Sequence, residues 1–172
     1  MSVGGVNRSL MSHPTSIRHA IWDSLRKAYR TFRRTVATAG EHGGQAIVVP
    51  RSVATVERTL GLAFFAPNWE FSYYERGEDM NLARVVYDEQ DRHHHTYTWW
   101  QTHARGWEYR DDDGQPHTRL RCHFELEPTE YDQDHIQGIG VSIDRGVDTV
   151  AEVLEAAGID YERHEDLPPG GA

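Results

Sequence analysis

Hydrophobic residues recur at helical spacing between residues 15 and 39. The apolar positions fall within an arc of about 100° on a helical wheel; they are Ile17, Ile21, Leu25, Ala28, Phe32 and Val36. The opposite face carries four arginines, Arg26, Arg30, Arg33 and Arg34. The pattern predicts an amphipathic N-terminal helix, and Gly40 is a suitable residue to end it.

From residue 69 onward, apolar and polar residues alternate with a period of two. This alternation predicts strands, joined by Gly-, Asp- or Pro-containing turns, at residues 69–73, 82–87, 93–109 and 118–127. Shorter apolar segments predict further strands at 46–49, 136–143 and 159–163. A short helix is predicted at 53–61, and a capping box at Thr149 and Glu152 predicts the start of a C-terminal helix.

Together these elements predict the α+β class. We expect an antiparallel sheet of about five to seven strands, arranged as a meander, because consecutive strands are joined by short turns. The N-terminal amphipathic helix and the C-terminal helix are expected to pack against it. Residues 1–13 are predicted to be a flexible arm, 14–166 a single domain and 167–172 a disordered tail, with Met11 as an alternative start to Met1.

Composition narrows the class of protein. The 172-residue chain has one cysteine, Cys122, so it has no internal disulfide and no cysteine zinc cluster. No apolar stretch approaches the roughly 18 residues of a membrane span, and no signal peptide is recognisable. We therefore expect a cytoplasmic protein that does not associate with membranes.

The charge is distributed unevenly along the chain. Residues 1–60 contain nine basic and three acidic residues, whereas the remainder is strongly acidic and brings the net charge to −9. Lys27 is the only lysine, and the other strongly basic residues are arginines. An excess of acidic residues, with arginine in place of lysine, is typical of salt-adapted proteins and of GC-rich genomes. The basic helix is predicted to bind nucleic acid or an acidic protein partner, unless the acidic half of the chain neutralises it.

A predicted hairpin between residues 93 and 127 brings the candidate catalytic side chains together on one face of the sheet. In its second strand the even positions, Leu120 to Leu126, are apolar and predict the core face. Closure at Tyr109 and His117 places three polar pairs opposite one another on the other face: His103 and His123, Arg105 and Arg121, and Gln101 and Glu125. Trp99 and Trp107 flank these pairs.

This polar face has three interpretations. Two histidines can serve as acid and base, arginines can hold an anion, and tryptophans can stack on bases. That chemistry suits a metal-independent, ribonuclease-like hydrolase with His103, His123, Arg105, Arg121 and Glu125 as catalytic residues. The alternatives are a binding surface and an ordinary solvated sheet face, and a bulge in the long first strand would disperse the cluster.

A run of three histidines, residues 93–95, suggests a metal site. His93 and His95 point the same way from a strand. The third ligand is expected from the turns at that end of the sheet, which contain Asp91, Asp132, Asp134 and His135, and His135 is the preferred candidate. His103 lies eight residues from His95, roughly 26 Å along a strand, which is too far to share an ion. Such a site would suit zinc, copper or nickel.

Three functional hypotheses follow. The first is a non-enzymatic binding or regulatory module that uses the four helix arginines together with Trp99 and Trp107. The second is the hydrolase, and the third is the histidine metal site. Whether the protein is an enzyme is left open. No nucleotide-binding or serine-hydrolase motif is present, so no cofactor is predicted, and the sequence does not predict an oligomeric state.

Overall fold

The computed structural model describes residues 44–68, 75, 77–88 and 97–167. These residues form six strands: β1 (Gly44–Val49), β2 (Ala66–Pro67), β3 (Met80–Tyr87), β4 (Trp99–Arg110), β5 (Pro116–Leu126) and β6 (Glu162–Leu167). They also form three helices: α1 (Val53–Leu62), α2 (Asp132–Ile136) and α3 (Ile143–Ala156). The predicted α+β class with an antiparallel sheet is confirmed. The predicted N-terminal helix, with Arg26, Arg30, Arg33 and Arg34, lies outside the described residues, as do the strand at 69–73 and the histidines His93 and His95.

The sheet has the strand order β2-β3-β4-β5-β1-β6, and every described neighbour pair is antiparallel. Strands β2 to β5 form the predicted meander, since each is paired with the next one along the chain. Strand β1, the first of the described strands along the chain, pairs with the edge of β5 that β4 leaves free, and Ile47 lies opposite Leu120. Strand β6 pairs with the other edge of β1.

Helices α1 and α3 pack on one face of this sheet. The buried residues of α3 recur at helical spacing, so that one stripe faces the core; they are Val147, Val150, Ala151 and Leu154. They belong to one hydrophobic cluster with Ala104, Leu120 and Cys122 of the two central strands. The prediction that the even positions of β5 face the core is therefore confirmed.

Helix α3 lies unusually close to β5. A Cβ atom added at Gly146 would lie 2.3 Å from the Cα of His123. Real Cβ atoms do not approach a main chain so closely. Glycine at this position therefore lets the helix rest directly on the backbone of the strand that carries His123.

One predicted strand and one predicted helix start are wrong in the C-terminal third. Residues 136–143 do not form a strand, because Gly138 and Gly140 adopt φ of 69° and 74° and turn the chain between α2 and α3. Helix α3 begins at Ile143, where the Ser142 side chain accepts a hydrogen bond from the Arg145 amide, and not at the predicted capping box. Thr149 lies inside the helix and donates its hydroxyl to a main-chain oxygen one turn earlier.

Candidate metal centre

The β4–β5 hairpin has the predicted register. His103 lies opposite His123, Gln101 opposite Glu125 and Arg105 opposite Arg121, and the pairing runs without a bulge from Trp100 to Arg110. Because paired residues share a face of the sheet, all of these polar side chains project from the face opposite to α1 and α3. The alternation of the sequence and the short Asp-Gly turn were sufficient to predict this arrangement.

The polar face is largely buried, which the solvated interpretation did not anticipate. Gln101 and His103 are each 3% exposed, Glu125 is 7% exposed, and Trp107 is likewise buried. His123 differs, since its side chain is 28% exposed to solvent. Solvent therefore reaches the cluster at His123.

Three side chains on this face converge on one point. The Nδ1 of His103 lies 3.4 Å from Oε1 of Glu125, and the Nε2 of His123 lies 3.0 Å from Oε2 of the same carboxylate. One potential ligand atom from each residue lies within 4.8 Å of the other two. Ligand atoms that share a tetrahedral zinc ion are about 3.3 Å apart, given bond lengths of about 2.0–2.1 Å. Two of the distances between these donors, 3.4 Å and 3.0 Å, are close to that value.

Asn81 holds one side of the His103 ring. His103 Nε2 lies 2.7 Å from Asn81 Oδ1, within hydrogen-bond distance, and this contact fixes the orientation of the imidazole. The other ring nitrogen, Nδ1, faces the Glu125 carboxylate at 3.4 Å from Oε1. A metal ion bound between these two groups would take the place of the proton that they share, because metal ligands bind in the deprotonated form.

The carboxylate is positioned in the same way. Gln101 Nε2 donates to Glu125 Oε1 over 2.7 Å. Metal-binding histidines and carboxylates are commonly held by such outer hydrogen bonds, which set the tautomer and the orientation of the ligand. Asn81 and Gln101 fill these two positions for His103 and Glu125.

Burial determines the ionisation of this cluster. Desolvation lowers the pKa of His103 to about 4, and the charges of Arg105 and His123 act in the same direction against the hydrogen bond to Glu125. Burial alone would raise the pKa of Glu125, but hydrogen bonds from His103 and His123 outweigh it and hold that pKa well below its usual range. The cluster thus pairs a neutral imidazole with an ionised carboxylate.

The arginines at the turn end of the hairpin face carboxylates. Arg105 forms an ion pair with buried Glu78, and both Arg105 and Arg121 lie 3.8 Å from oxygens of Glu75. Desolvation nevertheless raises the pKa of Glu78. Glu75, Glu78 and Asn81 were missed by sequence reasoning, since only the pairing of β3 with β4 brings them here. These contacts weaken the prediction that both arginines hold a substrate anion.

The other predicted site residues are dispersed. His135 Nδ1 lies 2.8 Å from the Leu126 carbonyl oxygen and 3.6 Å from Glu125, so it borders the cluster without joining its three ligand atoms. Trp99 is 40% exposed and packs edge-on against Tyr87, whereas Trp107 is buried with Arg119 and Arg121 over its ring. Cys122 is buried on the opposite face, and burial raises the pKa of its thiol.

In the part of the chain that the structure describes, no helix combines the length and the apolar character that crossing a membrane requires. Comparisons with models of protein families, with curated proteins and with solved structures find no match to this chain.

Proposed function

We propose that this protein binds one divalent transition-metal ion through His103, His123 and Glu125. The observation that carries the proposal is the convergence of two imidazole nitrogens and one carboxylate within 4.8 Å. Two histidines with one glutamate form a donor set that zinc and related ions use in proteins.

The surroundings of the cluster support this function. Asn81 orients His103, and Gln101 orients Glu125, so two of the three donors are held before an ion arrives. A preorganised donor set reduces the conformational entropy lost on binding. The proposal also explains why a polar cluster occupies a buried sheet face, since buried charges require partners or a metal.

Calorimetry of the untagged protein with Zn²⁺ tests the proposal. We expect one ion per chain, and His123→Ala should weaken binding by more than the roughly 10–100-fold that follows loss of a hydrogen-bond partner of a ligand. His117→Ala is the matched control, because His117 lies on the same strand and face at the turn end. An absence of zinc binding, or equal affinity in His123→Ala, would contradict the proposal.

A second candidate function uses the same histidines without a metal. The rings of His103 and His123 lie 5.0 Å apart, which favours the predicted acid–base hydrolase. Labelled single-stranded RNA incubated with the protein and a chelator separates the two functions. Cleavage that survives the chelator and is lost in both His103→Ala and His123→Ala would support the hydrolase and oppose a catalytic metal.

A further inference from the structure

The proposed metal centre has one accessible side. Among the described residues, no fourth histidine, cysteine or carboxylate joins His103, His123 and Glu125. Zinc sites with three protein ligands keep a further position for water or substrate. Because His123 is the exposed member, this position would be reached from its side of the sheet.

An apolar segment borders that side. Phe124 and Ser142 exchange two main-chain hydrogen bonds of 2.8 Å as an antiparallel bridge. Side chains alternate along such a pair, so Val141, the residue before Ser142, is directed to the same face as Glu125, whereas Ile143 is the first residue of α3. Both aliphatic side chains are about half exposed.

The backbone holds this segment in place. Gly138 and Gly140 have left-handed φ values, and a Cβ at Gly140 would lie 2.8 Å from the Trp100 ring. The turn therefore sits flat on a buried tryptophan. Four aliphatic residues remain exposed within eight positions: Ile136, Ile139, Val141 and Ile143. Grouped exposed apolar residues of this kind often mark binding sites.

We propose that Val141 binds the apolar body of a small carboxylic acid whose carboxylate completes the coordination of the metal. The inference rests on the proposed function, because it requires an ion at His103, His123 and Glu125. A divalent ion held by one carboxylate and two neutral imidazoles retains one positive charge, so an anionic head group would neutralise the site. The ligand class is thus an acid with an aliphatic chain.

Hydroxamates test the inference, because they combine a strong oxygen-donor head with chains of chosen length. Acetohydroxamate and hexanohydroxamate are titrated into the zinc-loaded protein by calorimetry. Each methylene that becomes buried raises affinity by about fourfold, so we expect the longer compound to bind at least about tenfold more tightly.

Two matched variants test whether Val141 causes the preference for the longer hydroxamate. Val141→Thr keeps the shape of the side chain but replaces one methyl group with a hydroxyl, and it should abolish most of the preference for the longer chain. Val85→Thr is the control, since Val85 is 49% exposed on β3 and Val141 is 45% exposed. The zinc affinity of each variant, measured in parallel, reports whether the metal site is intact.

Three outcomes are distinguishable. A chain-length preference that Val141→Thr removes and Val85→Thr retains supports the inference. Zinc binding with equal affinity for both hydroxamates, or a preference that survives Val141→Thr, overturns the inference and leaves the metal site standing. A wild-type protein that binds no zinc overturns the proposed function and the inference together.

Discussion

The contact between α3 and β5 can be tested by one methyl group. In Gly146→Ala the new Cβ would lie 2.3–2.6 Å from three main-chain atoms of His123. Ordinary contact begins near 3.4 Å, so the helix must move by about 1 Å or the strand must deform. Main-chain atoms of a central strand, paired on both sides, cannot rotate away as a flexible side chain would.

The magnitude follows from two opposing effects. Alanine favours a helix over glycine by about 1 kcal/mol. Overpacking costs about 1–3 kcal/mol and occasionally more, and here the displaced helix also carries Val147, Val150 and Leu154 of the core. We expect the free energy of unfolding to fall by at least about 2 kcal/mol.

Gly61→Ala is the matched control for this substitution. Gly61 also lies in a helix, but an added Cβ meets no atom within 4 Å, so only the gain in helix propensity remains. We expect this variant to be more stable by about 0.5–1 kcal/mol. Urea denaturation followed by circular dichroism measures both variants.

The reasoning would be refuted if Gly146→Ala were as stable as the wild type or matched Gly61→Ala. The same variant also connects packing to function, because the displaced atoms belong to His123. Zinc affinity in Gly146→Ala should fall while that of Gly61→Ala stays at the wild-type value.

Three further predictions follow from individual residues. Burial lowers the pKa of His103 to about 4, below the unfolded value of about 6.5. As the pH falls, His103 is therefore protonated in the unfolded chain before it is protonated in the folded protein. The free energy of unfolding of the metal-free protein should therefore fall by up to about 3 kcal/mol between pH 6.5 and pH 4, and urea denaturation should show a weaker pH dependence in His103→Gln. Phe64 is exposed with a φ of 67° just after α1, so Phe64→Gly should raise the thermal midpoint, stabilising the fold by about 1 kcal/mol; an unchanged or lower midpoint would count against strain at this position. Replacing Arg26, Arg30, Arg33 and Arg34 with glutamate should abolish retention of single-stranded RNA in a gel shift, and unchanged retention would oppose a nucleic-acid role for the basic segment.

The hairpin could be predicted from sequence because its determinants are local. Strict alternation from Leu120 to Leu126 indicates which face is apolar, and the turn before His117 sets the register. Those two facts place His103 beside His123 and Gln101 beside Glu125, as the structure has them. Neighbouring strands joined by short turns likewise predict the meander of β2 to β5.

The residues that complete the site come from more distant segments. Asn81 and Glu78 reach the hairpin only because β3 pairs with β4, and Ser142 reaches it only through its bridge to Phe124. The sequence predicts a strand where Gly138 and Gly140 form a turn, since apolar residues around glycine fit either structure. Contacts between segments depend on packing that no local pattern encodes.

The sequence by itself determined the fold class, the core face of the hairpin and the pairing of its polar residues, because periodicity and turn chemistry act over short distances. Only the tertiary structure decided that the polar face is buried and that His103, His123 and Glu125 converge on one point. Alternation reports which side of a strand is polar, but not what covers that side. Burial in turn lowers the pKa of His103, an effect that neither strand alternation nor turn chemistry encodes.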